Sequence, residues 1–231
     1  MNDTRMQLHW AAQAAASVSR AVLSPAPDDS HTTFTWSNEH EALVQQSGAG
    51  IRIRDLALLW LTPFEACPLA GRTLEDGYRF FEERTGRTLE RLGEGLPPHP
   101  VSTGAAFDPN GDDLARFSHL YAEAAAILED VRANHPNACA VRCWPHHFDI
   151  ATLIAHGGER TTGIGFVPGD VQYPDPYWYV TPWPYPDPTK LPPLPRGRWH
   201  TEGWVGAVHE AGERAEVAGF IAEAIGAVYV G

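Results

Sequence analysis

His146-His147-Phe148-Asp149 sets two imidazoles and a carboxylate within four residues, the density of titratable groups that acid–base or metal chemistry draws on. The surrounding segment, Ala138 to Ala155, reads as a buried strand. Polar groups there must be hydrogen bonded or held for a ligand. With side chains alternating, Trp144, His146, Phe148 and Ile150 share one face and His147, Asp149 and Ala151 the other. His147 and Asp149 then have the two-residue spacing with which strands present metal ligands, and a site needs further donors. His200 and Glu202 repeat that spacing on a later strand, and Asp170 follows a glycine turn that could bring it near. His147 and Asp149 are therefore the candidate catalytic pair. With His200 and Glu202 they are candidate ligands of a divalent metal ion that would activate water. The alternative is a structural network: Asp149 binds backbone amides or Arg142, His147 donates to Asp149, and His146 is a satisfied core histidine.

A second feature is aromatic density. Trp178, Trp183, Trp199 and Trp204 join Tyr173, Tyr177, Tyr179 and Tyr185, beside a run from Pro182 to Pro195 that holds seven prolines. Rigid aromatics with polar tips line small-molecule pockets. Trp144, Trp178, Tyr179, Trp183 and Trp204 are the expected walls, with Asp170 among the polar groups. Equally, the prolines could stack on these rings and pin an extended loop to the sheet. Leu191 to Arg198 also has the look of a polyproline ligand for a partner domain.

Other chemistries lack their signatures. No glycine-rich phosphate loop and no Gly-x-Ser-x-Gly elbow is present, and Gly163, Gly165 and Gly169 lie in a strand and its turn. With 29 acidic against 17 basic residues the formal charge is −12, which repels phosphate backbones and anionic lipid, so neither nucleic acid nor membrane is an expected partner. There is no basic leader followed by an apolar run, and no stretch of ~18 apolar residues. A cytoplasmic location is the expectation, and Cys67, Cys139 and Cys143 read as buried free thiols. No feature sets an oligomeric state.

The elements that must position these groups follow from periodicity. Leu8 to Leu23 reads as an amphipathic helix stopped by Pro25 and Pro27. His31 to Trp36, Glu41 to Gln46 and Ile51 to Leu61 read as strands, the last two joined through Ser47-Gly48-Ala49-Gly50. Thr73 and Asp76 form a capping box that opens a helix ending near Gly86. Gly93 to Asn110 is a long connection, and Asp112 to Ala133 is a helix with an acidic start. Thr161 to Val167, Tyr177 to Thr181 and Trp199 to His209 read as strands, and Arg214 to Val228 as a last helix. The expected class is α+β, with antiparallel sheets, about four helices and a long proline-rich surface loop. The chain is one domain over 1–231, or two similar halves of about 1–92 and 105–231.

Phe107-Asp108-Pro109, the helix through Phe117 and Ala124, and Trp144…Phe148-Asp149-Ile150-Ala151 resemble an uncharacterised bacterial family, a domain of unknown function. Gly165-Phe166-Val167-Pro168-Gly169, followed by Tyr177-Trp178-Tyr179, matches its Gly-Phe-x-Pro-Gly turn and aromatic segment. Leu8-His9 and Gln13 echo its opening Leu-His-x-x-x-Gln helix. The resemblance covers roughly 105–185 and implies an architecture and no activity, with Asp149 as the polar residue it transfers. The leading expectation is a soluble small-ligand-binding protein with an aromatic pocket and a His/Asp cluster. Its rivals are a metal-dependent enzyme, hydrolytic in type, and a structural or partner-binding protein.

Overall fold

The computed structural model describes residues 1–228, and the chain is α+β, with four α-helices and antiparallel sheets of five and six strands. It divides into two compact units, Met1–Ala122 with Arg142–Phe148, and Glu123–Val141 with Asp149–Gly231.

In the first unit, α1 (Asn2–Val22) is buried from Thr4 to Ser19 on every side rather than along one stripe. Alanine makes this possible: Ala11, Ala12, Ala14, Ala15 and Ala16 are wholly covered, and such small side chains let neighbours approach all round. The expected amphipathic helix is thus corrected to a central one that begins six residues earlier than Leu8. Burial on all sides forces its polar residues to find partners. Gln7 exchanges two hydrogen bonds with the Asp108 backbone, at 2.8 and 3.2 Å, and the Thr4 hydroxyl accepts from the Asn110 amide at 3.1 Å.

The sheet of this unit is a meander of β1 (Thr35–Ser37), β2 (Ala42–Val44), β3 (Ala49–Arg52), β4 (Ala57–Leu61) and β5 (Phe64–Pro68), paired in chain order. The single strand expected over Ile51 to Leu61 is broken by a 3-10 turn at Ile53–Asp55, with Leu56 left-handed. Of the first expected strand, His31 to Trp36, only Phe34 to Trp36 pair, because Ser30–Thr32 is also a 3-10 turn. Helix α2 (Leu74–Thr85) has the expected capping box between Thr73 and Asp76 and a left-handed cap at Gly86. Helix α3 (Gly111–Asn134) follows, and the unit boundary falls within it at Ala122. The short β6 (Arg142–Trp144) belongs to the first unit, where Phe34 and Cys143 exchange backbone hydrogen bonds of 2.8 and 2.9 Å.

The second unit holds β7 (Asp149–Ala155), β8 (Thr161–Val167), β9 (Tyr177–Trp183), β10 (Arg198–His200), β11 (Gly206–Glu210) and α4 (Arg214–Ala227), with strand order β10-β11-β9-β8-β7. The strand expected from Trp199 to His209 is a hairpin, which leaves Glu202 in its turn. Pro182, which opens the expected proline-rich surface loop, lies instead inside β9 opposite Thr162. Pairing with β11 reaches only Val180, so the missing N–H of Pro182 falls beyond the partner's end. The remainder of the proline-rich segment is loop with one 3-10 turn, largely exposed. Helix α4 lies against β9 and β11, its Phe220 ring 5.1 Å from His209.

Register sets one row of residues side by side across this sheet: Ala151, Gly165, Tyr179, Val208 and Arg198. Gly165 is glycine because the Tyr179 ring lies across it; a Cβ there would come within 2.5 Å of the phenol. Gly206 has the same relation to Trp204, at 2.4 Å. Of the three free cysteines, Cys67 and Cys143 are buried as expected, and Cys139 is exposed. No helix among the described residues is long and apolar enough to cross a membrane.

Replacing Gly165 by alanine is expected to displace the Tyr179 ring and lower unfolding free energy by about 2–3 kcal/mol. Gly163→Ala, whose Cβ would crowd the Thr181 methyl at 3.2 Å and touch Leu153 in ordinary contact at 3.8 Å, is expected to cost under about 1 kcal/mol. Urea unfolding of both variants checks the difference.

Candidate functional site

Pro145 decides the local fold of the His-His segment. It has no N–H to give to a strand ladder, and the chain turns through residues 145–148, closed by the Phe148 amide donating to the Trp144 carbonyl at 2.6 Å. The expected strand over 138–155 is therefore two strands separated by a turn. The alternation drawn across it fails, because His147 sits in the turn while Asp149 begins β7. Phe148 closes the turn at φ 57°, a left-handed conformation that costs a bulky residue on the order of 1 kcal/mol or more.

Side chains from two helices hold the turn in place. The Pro145 carbonyl accepts from His9 Nε2 at 2.9 Å and from Gln13 Nε2 at 2.7 Å, both one turn apart on α1. The Tyr121 hydroxyl donates to the Phe148 carbonyl. The Phe148 ring is buried between them, 5.3 Å from His9 at 14° and 5.3 Å from Tyr121 at 49°. Burial pushes the His9 imidazole down to about 4, partly opposed by its bond to Pro145. At neutral pH His9 is uncharged, with Nε2 carrying the proton that Pro145 accepts.

The turn faces a cleft of about 480 Å³. Its walls are α1 through Gln13, Ala16 and Arg20, the segment containing Asp29 and Thr32, the loop from Glu90 to Leu96, and Pro145 and His146. His146 and His147 are both exposed, their rings 4.3 Å apart, and Trp144 meets the His146 ring edge-on at 6.0 Å. Neither ring nitrogen of His146 has a hydrogen-bond partner among the described residues. Partial desolvation, then the neighbouring His147, lower its proton affinity below the ordinary histidine range. A neutral imidazole at a cleft wall can accept or donate a hydrogen bond and exchange a proton.

The other expected site residues lie in the second unit and are engaged in holding it together. Asp149 is buried and accepts from the Tyr179 phenol at 2.7 Å. Burial, then the nearby Asp149 charge, keeps that phenol well above its ordinary range. Asp170 accepts from the Tyr177 hydroxyl at 2.7 Å and from the amides of Gln172 and Tyr173 at 2.7 and 2.8 Å, so it fastens the loop before β9. His200 uses both nitrogens: Nδ1 pairs with the Tyr173 hydroxyl at 2.8 Å and Nε2 with the Glu202 backbone carbonyl at 2.7 Å. Trp204 stacks on His200 at 4.3 Å and meets Tyr179 edge-on at 6.3 Å.

The expected aromatic walls do not form one pocket within this unit. Trp178 points to the opposite face from Tyr179 and packs in the core against Phe166, 5.6 Å away. Trp183 is 52% exposed and pairs with Tyr185 rather than lining a cavity. A smaller cleft of about 290 Å³ is lined instead by Tyr173, Tyr177, Arg198, Val208 and Glu210 among others, and the Arg198 guanidinium already lies 5.3 Å over the Tyr173 ring. Among the described residues no group of three or more His, Cys, Asp or Glu side chains is placed to hold a metal ion. The ligand set of His147, Asp149, His200 and Glu202 meets two particular obstacles. His200 has both nitrogens occupied, and Glu202 lies in a turn rather than two residues along a strand.

Sequence reasoning named His9 and Gln13 only within the helix of the resemblance, not as site residues, and missed Tyr121. The available signal was a histidine and a glutamine four apart in an otherwise alanine-rich helix, where buried polar groups require partners. No protein-family profile, curated protein or solved structure matches this chain.

Two outcomes are expected here. The unfolded chain takes up a proton at about 6.5 and the folded His9 resists until about 4, so the unfolded state binds more protons between those values. Stability is complete above 6.5 and falls as pH drops towards 4, by about 2 kcal/mol between pH 7.5 and 5 from this residue. Urea titrations are expected to show that part of the dependence missing in His9→Gln, which keeps a donor and removes the charge. Tyr179→Phe, which leaves the buried Asp149 carboxylate short of a donor, is expected to cost about 2 kcal/mol, whereas Tyr185→Phe at the surface stays within about 0.5 kcal/mol.

Proposed function

We propose that this protein binds a small polar molecule in the 480 Å³ cleft of its first unit, with His146 as the group that hydrogen bonds to it or exchanges a proton with it. One observation carries the reading. His146 stands at the cleft wall with both ring nitrogens unpartnered among the described residues, on a turn locked by His9, Gln13 and Tyr121. A turn fixed at several points, with one residue in a strained conformation, is what preorganised binding requires.

The comparison with the second unit supports the same choice. Its tyrosine, aspartate and histidine groups are committed to one another, so they hold structure and offer little to a ligand. The residues behind the resemblance to the bacterial family point the same way. Trp144 and Phe148 build the turn, and His9 and Gln13 of the Leu-His-x-x-x-Gln helix secure it.

Histidine-labelled protein titrated with a library of small polar compounds tests the reading through the His146 ring resonances. At least one compound is expected to move them saturably. His146→Gln is expected to weaken that compound at least tenfold, while the unfolding free energy changes by less than about 0.5 kcal/mol. A library that leaves His146 unmoved, or a compound bound equally well without the imidazole, removes the proposal.

A further inference from the structure

The assignment of Gln13 fixes what kind of ligand the cleft accepts. Its side-chain nitrogen lies 2.7 Å from the Pro145 carbonyl and 3.2 Å from the His9 carbonyl. Only an NH₂ group can donate to two carbonyls, so the amide cannot be flipped, and Oε1 must point the other way. Gln13 is 4% exposed and lines the cleft, yet among the described residues Oε1 has no hydrogen-bond partner, and it is not sealed from solvent. An acceptor on a nearly buried side chain therefore looks into the cavity.

The charges around it are unevenly committed. Arg20 pairs with Glu90 at 3.3 Å, and Arg91 is held by Glu75 and Glu82. The carboxylates of Asp29 and Glu94, which also line the cleft, have no ion-pair or hydrogen-bond partner among the described residues. An anion would have to displace a glutamate from one of the arginines, whereas a cation meets two uncommitted carboxylates, an amide acceptor and an imidazole. The net charge of −12 favours the approach of a cation as well.

From this juxtaposition we infer that the cleft takes an organic ammonium ligand, a protonated amine whose N–H groups bond to Gln13 Oε1 and His146 and whose charge faces Asp29 and Glu94. This rests on the proposed function and names the ligand class of the same site. A neutral His146 suits the role, since a second cation beside the ammonium would repel it.

Titration of the whole chain with 1,4-diaminobutane, 1,4-butanediol and succinate, followed by calorimetry and by the His146 resonances, separates the possibilities. The diamine is expected to bind saturably, more weakly as salt is raised, and at least tenfold more weakly to Asp29→Asn/Glu94→Gln. These exposed substitutions are expected to leave the unfolding midpoint in place. Preferential binding of succinate, equal binding of the diol, or diamine affinity unchanged in the double variant overturns the ammonium class. The cleft as a binding site survives those results if His146 still responds. Silence from all three compounds also removes the ammonium class, and silence from the wider library removes the site itself.

Discussion

The carbonyl oxygen of Pro145 is the acceptor on which the first unit's chemistry depends. It receives two donors from one buried helix, His9 and Gln13, and each bond constrains more than the turn. The histidine must carry its proton on Nε2, while burial keeps the ring neutral. The glutamine must keep its nitrogen inward, which turns its oxygen outward. The helix itself is held at one rotation about its axis, since both donors lie on the side facing the turn. A single acceptor thus fixes an imidazole tautomer, an amide orientation and the seat of a loop.

The two units use polar side chains to opposite ends. In the second, three tyrosine hydroxyls meet partners of matched type: Tyr179 with Asp149, Tyr177 with Asp170, Tyr173 with His200. Satisfied networks of this kind rigidify a sheet face, and the glycines at 165 and 206 exist to let rings lie flat over the backbone. In the first unit the satisfied groups sit behind the turn, and His146 projects beyond them. Rigidity is supplied from behind and unpaired hydrogen-bonding capacity is left in front, which is the division of labour a binding site requires.

Much of the fold was legible in local pattern. The capping box at Thr73 and Asp76, the left-handed stop at Gly86 and the strand Thr161 to Val167 were readable because each depends on residues near in sequence. The α+β class followed from the order of such segments. The all-round burial of α1 was hidden, since an alanine-rich helix carries no contrast between its faces, and β5 (Phe64–Pro68) gave no alternation strong enough to read. The candidate site was half legible. Its location was marked by the paired histidines, but its scaffold depends on contacts between residues 9 or 13 and 145, which no local periodicity reveals. Alternation also misled, because it presumes an unbroken ladder. Pro145 was the warning, as a residue without an N–H has no place in an interior strand.

That break in the ladder is a requirement for the site. On a strand, neighbouring side chains point to opposite faces, so His146 and His147 could not both reach solvent from a sheet with one covered face. The burial pattern from Pro145 to Phe148 is instead covered, open, open, covered. A strand cannot produce that order, and the turn brings the successive rings to 4.3 Å. Proline opens the turn by withholding a donor, and a phenylalanine forced left-handed closes it. The flanking residues are buried so that the two between them are not. The conformational cost at Phe148 is offset by its ring packing between His9 and Tyr121. The strain and the exposed imidazole pair are therefore two aspects of one turn, and a sequence that relaxed the first by continuing the strand would lose the second.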